Sequence, residues 1–197
     1  MFKKTLFLTF LYIVAFSTTY AQNPKQEIEK TFTVYIDLII SKDFRKSADY
    51  ISEDLYKIVS KEQLIKILET TFNNPAMTYG IKNPKIIEVS NITKIDQKFY
   101  ALLRYSNLLS MKFNEEKPLT EQEHQTRLQR IKTALDNTFG TEKVKLNSTT
   151  QYFEIYSEKQ VCAISNDGLT GWKFITMDKK QKPILEKILP LQLTKDL

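Results

Sequence analysis

The chain has 197 residues, 42% of them hydrophobic and 26% charged, with a formal charge of +6. These are the values of one ordinary globular domain, and no low-complexity tract or solenoid-period repeat interrupts them. A single cysteine excludes an intramolecular disulfide, and four glycines exclude glycine-rich phosphate loops.

Met1-Phe2-Lys3-Lys4 is a short basic start, Leu6 to Phe16 an almost unbroken apolar run, and Ser17 to Ala21 a small, polar exit. This three-part order predicts a secretory signal peptide over residues 1–21, cleaved after Ala21, with residues 22–197 as a single domain. The apolar run is half of the roughly 20 residues that a spanning helix needs, so no stable membrane span is expected after cleavage. Gln22 follows the cleavage point, not a cysteine, so a lipid anchor is not indicated. The expected localisation is export, periplasmic or secreted. Loss of Lys3 and Lys4 lowers the formal charge to +4. Lys and Arg are interleaved with Glu and Asp throughout, which reads as a solvated surface; no nucleic-acid partner is expected.

The remaining chain opens on a helix signal, with Asn23 as cap, Pro24 in the first turn, and Ile28, Phe32, Tyr35, Ile36 and Ile39 at helical spacing. A break at Lys42-Asp43 precedes short helical turns from Phe44 to Tyr56. Ser60 and Gln63 form a capping box for a helix that Asn73-Asn74-Pro75 ends. The period then changes. Lys85 to Lys94 is expected as a strand, Ile95 to Lys98 as a turn, and Phe99 to Phe113 as a long strand with a bend or bulge. Its odd positions, Phe99, Ala101, Leu103, Tyr105, Asn107, Leu109, Met111 and Phe113, are nearly all apolar, which suits a sheet covered on one side. Thr120 and Glu123 cap a further helix carrying Leu128, Ile131, Leu135 and Phe139, with Gly140 as its stop. Strands are expected over 151–158, 160–165 and 171–177, with turns at Glu158-Lys159 and Asn166-Asp167-Gly168. A closing helix runs from Lys182 to Leu189 and ends at Pro190.

Helices first, then antiparallel strands with one helix inserted, is an α+β order. In Glu27 to Ile40, Phe44 to Leu55, Phe99 to Tyr105 and Gly171-Trp172-Lys173-Phe174-Ile175 the layout resembles the NTF2-like (cystatin-like, cone-shaped) superfamily. The resemblance covers residues 24–189 and implies a curved antiparallel sheet packed against N-terminal helices. The helix over 120–139 and the short C-terminal helix are additions to the simplest members. Enzymes of that superfamily set aspartate, histidine or tyrosine groups inside the cone. No matching set stands here, so no catalytic residue is assigned.

The residues themselves point away from catalysis. His124, the single histidine, is expected on a solvated helix turn, and with one histidine and one cysteine the usual zinc spacings are absent, so neither metal nor cofactor is expected. Cys162 sits in a short apolar run and reads as a small buried hydrophobe. Asp49, Glu53 and Asp54 read as helix-capping acids. Tyr35, Tyr105 and Trp172 are the candidate ligand-binding residues, expected to meet inside the cone or to be core. Tyr100, Tyr152 and Tyr156 are expected on the outer sheet face, where exposed aromatics would serve a protein contact. The function expected is a non-enzymatic binding or accessory protein of the cell envelope. Its partner would be a small apolar ligand or an envelope protein, with a homodimer through the sheet face. The alternative is an acid–base enzyme of the isomerase or dehydratase kind.

Overall fold

The computed structural model describes residues 23–115 and 117–197, so the expected leader lies outside the described residues. The first helix, α1 (Pro24–Ile40), begins where Asn23 accepts a hydrogen bond from the Lys25 amide and Pro24 fills the first turn. Its buried residues, Ile28, Phe32, Ile36 and Ile39, make one stripe. The next segment breaks into α2 (Phe44–Ser47), a 3-10 turn (Ala48–Tyr50) and α3 (Glu53–Tyr56), with Asp43 and Ser52 as side-chain caps. Helix α4 (Lys61–Phe72) opens on the Ser60/Gln63 capping box. Thr120 and Glu123 repeat that device at α5 (Glu121–Phe139), which stops at Gly140 with φ 98°.

Six strands form one curved antiparallel sheet: β1 (Met77–Val89), β2 (Thr93–Ile95), β3 (Lys98–Phe113), β4 (Val144–Leu146), β5 (Phe153–Ser165) and β6 (Lys173–Met177). The order is β1–β3–β5–β4; β2 pairs with β3 beyond the end of β1, and β6 pairs with β5 beyond the end of β4. The class is therefore α+β, as the element order implied.

Three expectations need correction. Strand β1 starts at Met77, not Lys85, and runs straight through Pro84. It can do so because it is an edge strand and Pro84 falls in a bulge: Asn83 and Pro84 are extra residues where β3 supplies Asn107 alone. Glu158-Lys159 is not a turn, since these residues pair with Ser106 and Tyr105 in unbroken register and β5 is one long strand. At the C-terminus, α6 (Lys182–Leu185) is a single turn, and Pro190 leads into a further turn, α7 (Leu191–Thr194).

The period of two along β3 divides everything else. Its inner side carries Ala101, Leu103 and Tyr105, packed with Ile28, Phe32, Ile36, Phe44, Trp172 and Phe174 under α1, α2 and α4. Farther along the same side Leu109, Met111 and Phe113 pack with Phe153, Ile155, Leu128 and Leu135 under α5. On the outer side the C-terminal segment covers only one end, where Leu185 and Leu189 meet Tyr100, Cys162, Ile164 and Ile175. No helix among the described residues is long and apolar enough to cross a membrane.

Candidate functional site

The inner face is where polar chemistry enters an otherwise apolar interior. Register places Ile86, Tyr105 and Lys159 in one row across β1, β3 and β5, with Asn107 and Ser157 in the next. That second row lies between the two apolar clusters. Asn107 is 3% exposed, and its Oδ1 is buried without a hydrogen-bond partner. A buried amide oxygen left unpaired costs about 1–3 kcal/mol, so the position carries a cost that packing alone does not explain.

Tyr105, in the adjoining row of β3, belongs to a chain of four neighbouring tyrosines with Tyr79 of β1, Tyr35 of α1 and Tyr56 of α3. Burial pushes the Tyr35 phenol well above its ordinary range, and the neighbouring Tyr105 and Tyr56 hydroxyls add to the shift. Tyr105 is pushed up to about 12, first by burial and then by Tyr79. Burial also raises Tyr79. Tyr56 rises to about 12 through burial, with Asp49 and Glu62 contributing. All four therefore stay neutral through the physiological range and keep a hydroxyl proton to donate. The Tyr56 hydroxyl donates to the Ala48 carbonyl at 2.5 Å, whereas among the described residues those of Tyr35 and Tyr105 donate to no protein group.

Aromatic packing fixes the rings. Phe32 lies 4.8 Å from Tyr105 and 5.3 Å from Phe174, and Tyr35 stacks on Phe174 at 5.6 Å. Tyr79 meets Phe72 edge-on at 4.9 Å. Such pairs add about 0.5–1.5 kcal/mol each beyond the buried area, so the rings are held while the hydroxyls stay available. Trp172 belongs to the same cluster and is 1% exposed, but its Nε1 donates to the Leu169 carbonyl at 3.3 Å. Its polar atom is thus committed to the neighbouring loop. Tyr35 and Tyr105 come together with free hydroxyls, and Trp172 joins them as packing.

The other residues singled out from sequence fall elsewhere. His124 is not a freely solvated helix residue: its Nδ1 bonds the Glu115 carboxylate and its Nε2 lies 3.0 Å from the Gln151 amide, beside a polar cleft of about 430 Å³. Cys162 is fully buried, and burial pushes its thiol up to about 12, which leaves it inert. Asp54 does not cap a helix. Burial alone would raise its carboxyl, but hydrogen bonds from Lys57 and Lys98, both 2.6 Å, hold it below the usual range. Asp49 pairs with Lys61. Tyr100 is buried beneath the C-terminal segment, a correction to its expected exposure, because Leu185 and Leu189 cover that end of the sheet. Tyr156 is exposed and donates to Glu158 at 2.7 Å. Asn107 was visible as the polar member of the odd row in β3, but its burial depends on the partner strands. No group of three His, Cys, Asp or Glu side chains among the described residues could hold a metal ion.

No family model and no curated protein sequence matches this chain. Among solved structures, one named "Putative Scytalone Dehydratase", from Novosphingobium aromaticivorans, is similar over 76% of this chain and 77% of its own, at 15% identity and a TM-score of 0.38.

Proposed function

We propose that this is an exported, non-enzymatic binding protein of the NTF2-like kind. Its ligand would be a small apolar molecule bearing one hydrogen-bond acceptor, held against the hydroxyls of Tyr35 and Tyr105. The observation that carries this reading is the pair of neutral phenols without protein partners, set in an aromatic frame beside the unpaired Asn107 amide. Ligand sites combine an apolar lining with a few fixed polar groups, and this is such a combination. Phe32, Phe174 and Trp172 fill the space behind the phenols, so a ligand would lie at the rim where Tyr35 and Tyr79 are half-buried. Export is supported by the order of residues 1–21 alone.

An acid–base enzyme would need a general base with pKa near neutrality. The phenols are displaced in the opposite direction, and the acidic groups Asp49 and Glu62 act on Tyr56 rather than on Tyr35 or Tyr105. This favours binding over turnover.

Camphor, a compact ketone, and bornane, the same skeleton without the oxygen, make a direct test. Camphor should bind about tenfold more tightly, a difference of about 1.4 kcal/mol for one hydrogen-bonded acceptor. The double variant Tyr35→Phe/Tyr105→Phe should erase that difference. Equal affinity of the wild type for both compounds would overturn the donor role. Exchange of the α-hydrogens of camphor with heavy water at an enzyme-accelerated rate would overturn the non-enzymatic reading.

A further inference from the structure

On the outer face, at the end of the sheet farthest from the C-terminal cover, lies a second unexplained polar atom. Ser110 is 1% exposed, and its Oγ is buried without a hydrogen-bond partner. Register sets Gly80 and Glu154 directly beside it on β1 and β5. A Cβ built on Gly80 would meet nothing within 4 Å, so the floor next to the Ser110 hydroxyl is open. The cleft above it measures about 440 Å³, which lies within the usual range of small-molecule sites.

The walls narrow the chemistry. Tyr152 supplies an aromatic ring, with the ammonium groups of Lys82 and Lys112 at 5.6 Å and 5.9 Å from its centroid. Lys82 also pairs with Glu154 at 3.2 Å, and Lys112 donates to the Thr150 carbonyl at 3.2 Å. Thr78, Tyr79, Asn147 and Thr150 complete the lining. An anion would meet the Glu154 carboxylate, and a cation would meet the Lys82 ammonium. A purely apolar ligand would leave the buried Ser110 hydroxyl unpaired at a cost of about 1–3 kcal/mol. A neutral polyhydroxy compound can pair with it and with the polar rim. It also offers a face of C–H bonds, whose positive edge suits the negative face of an aromatic ring.

We propose that the cleft over Gly80 and Ser110 binds a single pyranose sugar unit, stacked on Tyr152 and hydrogen-bonded to Ser110, Glu154 and Lys82. This site opens on the opposite side of the sheet from Tyr35 and Tyr105, with Tyr79 of β1 bordering it. The two proposals stand or fall separately.

The test is an amide-resolved NMR titration of the purified protein with glucose, galactose, mannose and N-acetylglucosamine, each to about 50 mM, against sulfate as an anionic control. At least one sugar should give saturable shifts at Gly80, Ser110 and Tyr152, with Kd on the order of 1 mM. Tyr152→Ala should weaken it about tenfold. Gly80→Val, which suits a strand and occupies the open floor, should abolish it while leaving the rest of the spectrum in place. The proposal is overturned if no sugar saturates these signals, if Gly80→Val leaves binding intact, or if sulfate binds there and the sugars do not.

Discussion

On the inner side of β3, Ala101, Leu103 and Tyr105 are sealed under α1, while on the outer side Arg104 and Leu108 stay half-buried past the end of the C-terminal segment. The strands are the same; only the parity differs. The inner side gathers its stability from dispersion and burial, through rings such as Phe32, Phe174 and Trp172, each at 1% exposure. Beyond the apolar cluster under the C-terminal segment, the outer side carries exposed charge pairs, with Arg104 bonded to Glu88 at 3.1 Å and to Glu158 at 3.3 Å. Burying a large side chain contributes about 1.5–3 kcal/mol, and an exposed ion pair about 0–1 kcal/mol. The inner face and the covered end of the outer face therefore hold the fold, and the charge-paired stretch between adds little. In both faces the departure from the local rule is a buried polar side chain, Asn107 within and Ser110 without.

The contrast can be broken most forcefully at Phe32. Replacing it with alanine should cost about 3–5 kcal/mol in urea unfolding, because the cavity would sit between Tyr105 and Phe174. A loss below about 1 kcal/mol would mean that the inner cluster is not the stabilising one. Gly168→Ala should come next, at about 2 kcal/mol: its φ is 75°, and the new Cβ would approach Phe99 to 2.7 Å. Arg104→Ala should cost less than about 1 kcal/mol and lose its effect in about 1 M salt, as thermal melts at two ionic strengths would show. Smallest of all, Tyr35→Phe/Tyr105→Phe should change stability by no more than about 0.5 kcal/mol, since neither hydroxyl has a protein partner to lose. A larger loss would reassign the phenols from the site to the core.

Acid sharpens the comparison in another way. Asp167 receives hydrogen bonds from the Thr170 amide and hydroxyl, the Leu169 amide and the Ser165 hydroxyl, and these hold its carboxyl far below the usual range. Its folded pKa is depressed, so its contribution is complete above the unfolded value of about 3.9 and is lost as pH falls toward the folded one. Unfolding midpoints measured from about pH 5 to pH 2 should decline, and less steeply in Asp167→Asn.

Capping chemistry was the most legible part of the chain: Asn23, the Ser60/Gln63 pair and the Thr120/Glu123 pair start their helices as their side chains dictate. Those signals are local, and local signals survive without knowledge of the fold. Strand limits were not local. The strand expected from Lys85 begins at Met77, because at a sheet edge Pro84 needs no inward donor and Gly80 can floor a cleft. Glu158-Lys159 resembled a turn for the same reason: charged residues in β5 lie where neither β4 nor β6 covers its far edge. Of the site, Tyr35 and Tyr105 were readable from helical and strand periodicity. Asn107 and Ser110 were not, because their isolation depends on what lies across three strands. His124 escaped for a similar reason, its partners Glu115 and Gln151 coming from either side of α5 in sequence.

The kink that Asn83 and Pro84 put into β1 has a protective side. An open sheet margin with regularly spaced donors invites a stray chain to zip onto it, the first step of fibril growth. Here the margin is bent at its middle, one donor is missing at Pro84, and Lys82 and Lys85 flank the gap with like charge. Straightening it, for example with Asn83 deleted and Pro84→Thr, should turn a guarded edge into a seed for self-assembly.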